Sequence, residues 1–121
     1  MTKAELQELL PDNVCLDKAY SDIWVLKYIP DSRMTFDIDI NSNRTCYDVL
    51  VHYYNQDEGS IHEINAVRLR KDDNDSTFTA FIKCLPEYIK EAHRNYMQYV
   101  NNMSVFLDSE GMGGNYQYIR A

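Results

Sequence analysis

Residues 45–70 read TCYDVLVHYYNQDEGSIHEINAVRLR, and the fold turns on how they pair. Two β-rich runs, Thr45 to Tyr54 and Ile61 to Arg70, flank Gln56-Asp57-Glu58-Gly59-Ser60. That spacing suits a three-residue hairpin loop with glycine in the left-handed position. With Gln56 facing Ser60, Val49 meets Val67, Tyr47 meets Leu69 and Asp48 meets Arg68. One face of the hairpin is then apolar, and the other mixes charge with Leu50, Tyr54, Ile64 and Ala66.

Upstream, Ile23 to Ile29 and Met34 to Ile40 repeat the period-two pattern, with turn residues around Pro30-Asp31-Ser32-Arg33 and Asn41-Ser42-Asn43-Arg44. The first turn sets Tyr28 beside Phe36, Leu26 beside Ile38 and Trp24 beside Ile40. A four-residue second turn sets Ile38 beside Tyr47 and Phe36 beside Val49. Turn length and the continuity of the apolar face together select these registers. Val14 to Tyr20 is a marginal strand whose charges suit an edge. Ahead of it, Thr2 and Glu5 form a capping-box pattern for a short helix that ends at Pro11.

Downstream, Ser76 is positioned to cap a long helix. Phe78, Phe81, Ile82, Leu85, Ile89, Ala92, Tyr96, Val100 and Met103 recur at spacings of three and four, the stripe of a helix buried on one side. Pro86 lies inside the stripe without changing its phase, which predicts a kink. Val105 to Leu107 and Tyr116 to Ile119 flank a glycine-rich run, so 105–121 reads as a terminal hairpin or a flexible tail. The glycines lack the lysine and the strand-to-helix context of a phosphate-cradling loop. The expected fold is therefore a single α+β domain over 1–121. Its two layers are a four- to five-stranded antiparallel meander and one long Pro-kinked helix, with a short N-terminal helix besides. Trp24, Phe36, Ile38, Val49, Val67, Phe81, Leu85 and Ile89 form its expected core.

Composition narrows the function classes. Nineteen Asp and Glu against twelve Lys and Arg give a net charge of −7, which disfavours direct nucleic-acid binding because phosphate neutralisation dominates there. Residues 1–60 hold eleven of the acids against five bases, so the asymmetry sits in the N-terminal half. No apolar run approaches the ~20 residues of a membrane span, and the N-terminus lacks the order of a secretory signal. Cys15, Cys46 and Cys84 are odd in number and widely spaced, which suits reduced, mostly buried thiols and a cytoplasmic location.

No motif points to catalysis, a metal or a cofactor. On the expected registers His52 and His62 share a face but lie diagonally apart, and Cys46 lies roughly 20 Å from His52 at the usual strand rise. Asp37, Asp39 and Asp48 stand at alternate strand positions, a spacing that resembles phosphates along a nucleic-acid strand. Each also has an expected cross-strand cation, with Lys27 beside Asp37, Arg68 beside Asp48, and Arg70 in the row of Asp39.

The reading that remains is a non-enzymatic protein-binding module. Ten tyrosines supply amphipathic contact area. Asp31, Asp57 and Glu58 lie in loops without expected partners, and Leu50, Tyr54 and Ile64 form an apolar patch on the face away from the helix. Small acidic inhibitors, among them antitoxins, immunity proteins and phage-encoded blockers of host defence nucleases, share this profile. The expected partner is a protein with a basic surface, with a homodimer also compatible. The alternative is a small-molecule or nucleotide-binding oligomeric domain with a pocket beside the glycine-rich C-terminal segment.

Overall fold

The computed structural model describes the backbone of residues 1–109 and the side chains of residues 1–103. The elements follow in the order α1 (Lys3–Leu9), β1 (Val14–Ala19), β2 (Ile23–Asp31), β3 (Met34–Ser42), β4 (Cys46–Asn55), β5 (Ser60–Arg70), α2 (Ser76–Lys83) and α3 (Leu85–Ser109). The strands form one antiparallel meander in sequence order, β1 to β5, so β1 and β5 are its edges. The helices pack on one side, giving the two-layer α+β architecture that the patterns imply. Among the described residues no helix is long and apolar enough to cross a membrane.

Local chemistry accounts for most element ends. Thr2 and Glu5 make the reciprocal capping box of α1. At the start of α2 the capping carboxylate is Asp72, which accepts from the Thr77 amide and from the Ser76 and Thr77 hydroxyls. Ser76 is thus the first helical residue and not the cap, because Asn74 and Asp75 adopt left-handed backbone angles that bring Asp72 over the helix start. The helix is interrupted at Cys84 (φ −100°, ψ 12°), and Pro86 falls in the first turn of α3, where its missing N–H is no loss. Phe78, Ile82, Leu85, Ile89 and Ala92 are all buried, so the stripe keeps its phase across the break.

The β2–β3 register is the expected one, with Trp24 opposite Ile40, Leu26 opposite Ile38 and Tyr28 opposite Phe36. The β3–β4 register differs. Ile38 meets Val51 and not Tyr47, and Phe36 meets Tyr53 and not Val49. Strand pairing runs on through Ser42–Tyr47, and the Asn43 amide donates to the Cys46 carbonyl (2.8 Å) across a turn of only two residues, Arg44 and Thr45. The Asn43 side chain, bonded to Asp48, holds that tighter turn. Every partner moves by four residues, an even number, so the apolar face is preserved.

In the last hairpin the loop is Gln56 to Gly59, with Asn55 opposite Ser60 and Gly59 at φ +67°. The loop therefore holds four residues, one more than the spacing suggested. A bulge at Ile64 offsets the difference, so that Asp48 still faces Arg68 and Val49 still faces Val67.

The core is continuous from Leu6 through Leu26, Phe36, Ile38, Ile40, Val49 and Val51 to Phe78, Ile82, Leu85 and Ile89, all fully buried or nearly so. Trp24, Val67 and Phe81 pack on its margin and are only partly buried, whereas Phe78 is solvent-free. The Phe78 ring stacks on Tyr47 at 4.0 Å. Cys46 is buried but Cys15 and Cys84 are exposed, contrary to the expectation of mostly buried thiols. Val105 to Leu107, read as part of a hairpin or tail, belong to the helical backbone of α3. The remainder of that segment lies outside the described residues.

Candidate interaction surface

The candidate surface lies at the end of the sheet where the β2–β3 and β4–β5 hairpins turn. Asp31 starts the first turn, and its Oδ1 accepts from the amides of Arg33 (2.7 Å) and Met34 (3.1 Å). Such an Asx turn uses the short carboxylate to satisfy backbone that no strand can reach. Asn55 does the same in the second turn, where its Oδ1 accepts from Asp57 (3.0 Å) and Glu58 (3.2 Å). Across the gap, Gln56 Nε2 donates to the Ser32 carbonyl at 3.1 Å. That bond ties the two turns together, although 24 residues separate its partners.

As a result Asp31, Asp57 and Glu58 occupy one end of the molecule. Their common field is felt by Tyr53, whose phenol is pushed above its ordinary range first by burial and then by Asp57, Glu58 and Asp31. Glu58 also accepts from the Ser60 hydroxyl (3.0 Å) and lies 3.7 Å from His62 Nε2. Arg33 stands exposed in the first turn beside these acids.

On the sheet face away from the helices, Tyr54 lies between Thr35 and Ile61, directly next to the acidic turns. Ile61 is 62% exposed and Ile29 is 41% exposed. Leu50, half-buried, sits farther along the same face between Asp39 and Ala66. The N-terminal helix does not cover this face, because Leu6 is buried in the core on the helix side. Four of the six anticipated residues, Asp31, Tyr54, Asp57 and Glu58, are thereby brought together at one end, with Leu50 two positions before His52 on the strand that carries Tyr54. Ile64 is not with them. The bulge turns it toward the helical layer, where it packs against the core and lines a cleft beside α3.

The same bulge separates His52 from His62, which the simpler register placed on one face. His52 lies 3.8 Å from Asp39 on the open face, while the His62 ring faces Tyr96 of α3 at 6.0 Å. Asp39 neighbours Val25 and Leu50 and not the row of Arg70, a consequence of the β3–β4 shift. Asp48 does meet Arg68, at 2.7 Å, and its carboxyl is held below the usual range chiefly by that bond. Lys27, beside Asp37 in the ladder, turns its ammonium toward Asp17 at 3.8 Å. Among the described residues no cluster of three His, Cys, Asp or Glu side chains could hold a metal ion.

Sequence patterns did not single out Ile61, the most exposed large aliphatic side chain among the described residues, although its position at the end of a strand beside a polar loop was a usable signal. Nor did they reveal the link between the two turns, which no local pattern encodes. No family model matches the chain, and neither a curated protein nor a solved structure matches it.

Proposed function

We propose that the protein is a non-enzymatic protein-binding module, a small acidic inhibitor that docks through the end of the sheet carrying Asp31, Asp57 and Glu58. The observation that carries this reading is the Gln56–Ser32 bond, which gathers three acids from two turns beside the exposed Ile29 and Ile61 and the half-buried Tyr54. An apolar and aromatic centre with a charged rim is the anatomy of a binding surface. The partner is a protein with a basic groove, for which the acids set the rate of encounter and Tyr54 with its apolar neighbours sets the lifetime. A reducing compartment such as the cytoplasm suits three unpaired thiols.

The test is to capture the partner and measure both rate constants for the wild type and for the triple variant D31N/D57N/E58Q. In D31N the side-chain amide oxygen can still accept from the Arg33 and Met34 amides, so the turn is retained. Association should fall by about tenfold at low salt and lose most of its salt dependence. Tyr54→Ala should instead speed dissociation. Unchanged association with no salt dependence rejects the reading.

A second reading, binding of a small molecule, draws on the cleft between β5 and α3. Ile64, Ala92, Tyr96, Tyr99 and Val100 help to line about 500 Å³ there, within the usual range of ligand pockets.

A further inference from the structure

The opposite end of the β4–β5 hairpin has the opposite charge. Arg44 in the tight β3–β4 turn, Arg68 and Arg70 near the end of β5, and Lys71 just beyond it line one open concavity with Thr45 and Cys46. These are four of the chain's twelve Lys and Arg residues. Two of the four have local duties. Arg68 is oriented by Asp48, and the Lys71 ammonium donates to the Ser42 hydroxyl (2.8 Å) while lying over the Tyr47 ring. Arg44 and Arg70 are exposed and have no acidic partner among the described residues.

Four like charges around one concavity repel one another, and the single acid paired among them, Asp48, offsets only one. Asp72, Asp73 and Asp75 follow Lys71 directly, but Asp72 accepts from Ser76 and Thr77 and Asp75 pairs with the N-terminal ammonium at 3.2 Å, so among the described residues none of the three pairs with these four cations. The acidic end does not cancel the field here. Ten residues of β4 separate the two ends, roughly 30 Å at the rise of a strand, against a screening length of about 8 Å at physiological salt.

We propose that this end of the sheet binds the phosphate groups of a small polyphosphate or nucleotide. Arg44 and Arg70 are the direct ligands, Arg68 is held in place by Asp48, and the Thr45 hydroxyl is a further donor. A guanidinium offers paired N–H donors that match two phosphate oxygens, so arginine in preference to lysine is the residue expected at such a site. The tight turn sets the position of Arg44 relative to β5, because the Lys71 amide donates to the Thr45 carbonyl at 2.9 Å. This site is separate from the protein-binding end and does not depend on it.

The experiment is calorimetric titration at low ionic strength with sodium tripolyphosphate, repeated with adenosine triphosphate. Saturable binding is expected, and R44A/R70A should weaken it by about tenfold or more, since each substitution removes a charge-assisted contact. The control is R33A/R94A, which changes net charge equally at exposed positions elsewhere. Both doubles lie on the surface, and thermal unfolding checks that they fold. Equal affinity for the two probes assigns the site to the phosphate chain alone, and tighter nucleotide binding adds a nucleoside contact. The proposal is overturned if neither probe binds saturably at millimolar concentration, or if the control double weakens binding as much as R44A/R70A.

Discussion

Truncating Phe78 and Phe81 separately to alanine distinguishes the core that tertiary packing builds from the one that periodicity alone suggests. Both belong to the apolar stripe of the helical region, three residues apart. Phe78 is fully buried, stacked on Tyr47 at 4.0 Å and 6.3 Å from the Trp24 ring. Phe81 is partly buried at the margin and meets Tyr88 edge-on at 4.9 Å. Removing a solvent-free phenyl group and leaving its cavity costs about 3–5 kcal/mol, of which an aromatic pair supplies roughly 0.5–1.5 kcal/mol. The partly buried ring should cost about 1–2 kcal/mol, in proportion to the smaller area withdrawn from water. Against a total stability of roughly 5–15 kcal/mol, both variants remain measurably folded. Urea unfolding followed by far-UV circular dichroism gives both numbers. Trp24 fluorescence is a second probe but lies too near Phe78 to stand alone. If Phe81→Ala costs as much as Phe78→Ala, the assignment of Phe78 to the centre of the core fails.

Burial lowers the pKa of His93, whose ring packs against Phe36 and Tyr53 and whose Nε2 is buried with no hydrogen-bond partner among the described residues. Folding therefore favours the neutral imidazole. The unfolded chain takes up the proton first, near pH 6.5, so this contribution to stability is intact above that value and is lost as pH falls below it. Between about pH 7 and pH 5 the unfolding midpoint of the wild type should fall more steeply than that of His93→Phe, and parallel curves would rule the linkage out. Gly59 has φ +67°, and a Cβ added there would meet no atom within 4 Å, so Gly59→Ala should cost about 1 kcal/mol from backbone strain alone. Gly59→Asn should cost less, because asparagine tolerates that conformation, and equilibrium unfolding of the two variants shows the order.

The alternation of apolar and polar residues in β2 to β5, the spacing of the helical stripe and the Thr2–Glu5 box were enough to establish the two-layer meander. Each depends on residues within a few positions of one another, and the periods of strand and helix translate them directly into faces. Even an incorrect β3–β4 register kept its apolar side, since a shift of four residues cannot exchange faces. Three features were decided only by tertiary structure. The bulge at Ile64 took that residue from the open face to the core side and separated His52 from His62. The Gln56–Ser32 bond joined two turns into one acidic end, and the two-residue turn at Arg44 and Thr45 brought a cationic turn beside β5. Each depends on contacts between residues distant in the chain, or on how a turn compensates for the pairing of whole strands, and a local pattern carries no information about either.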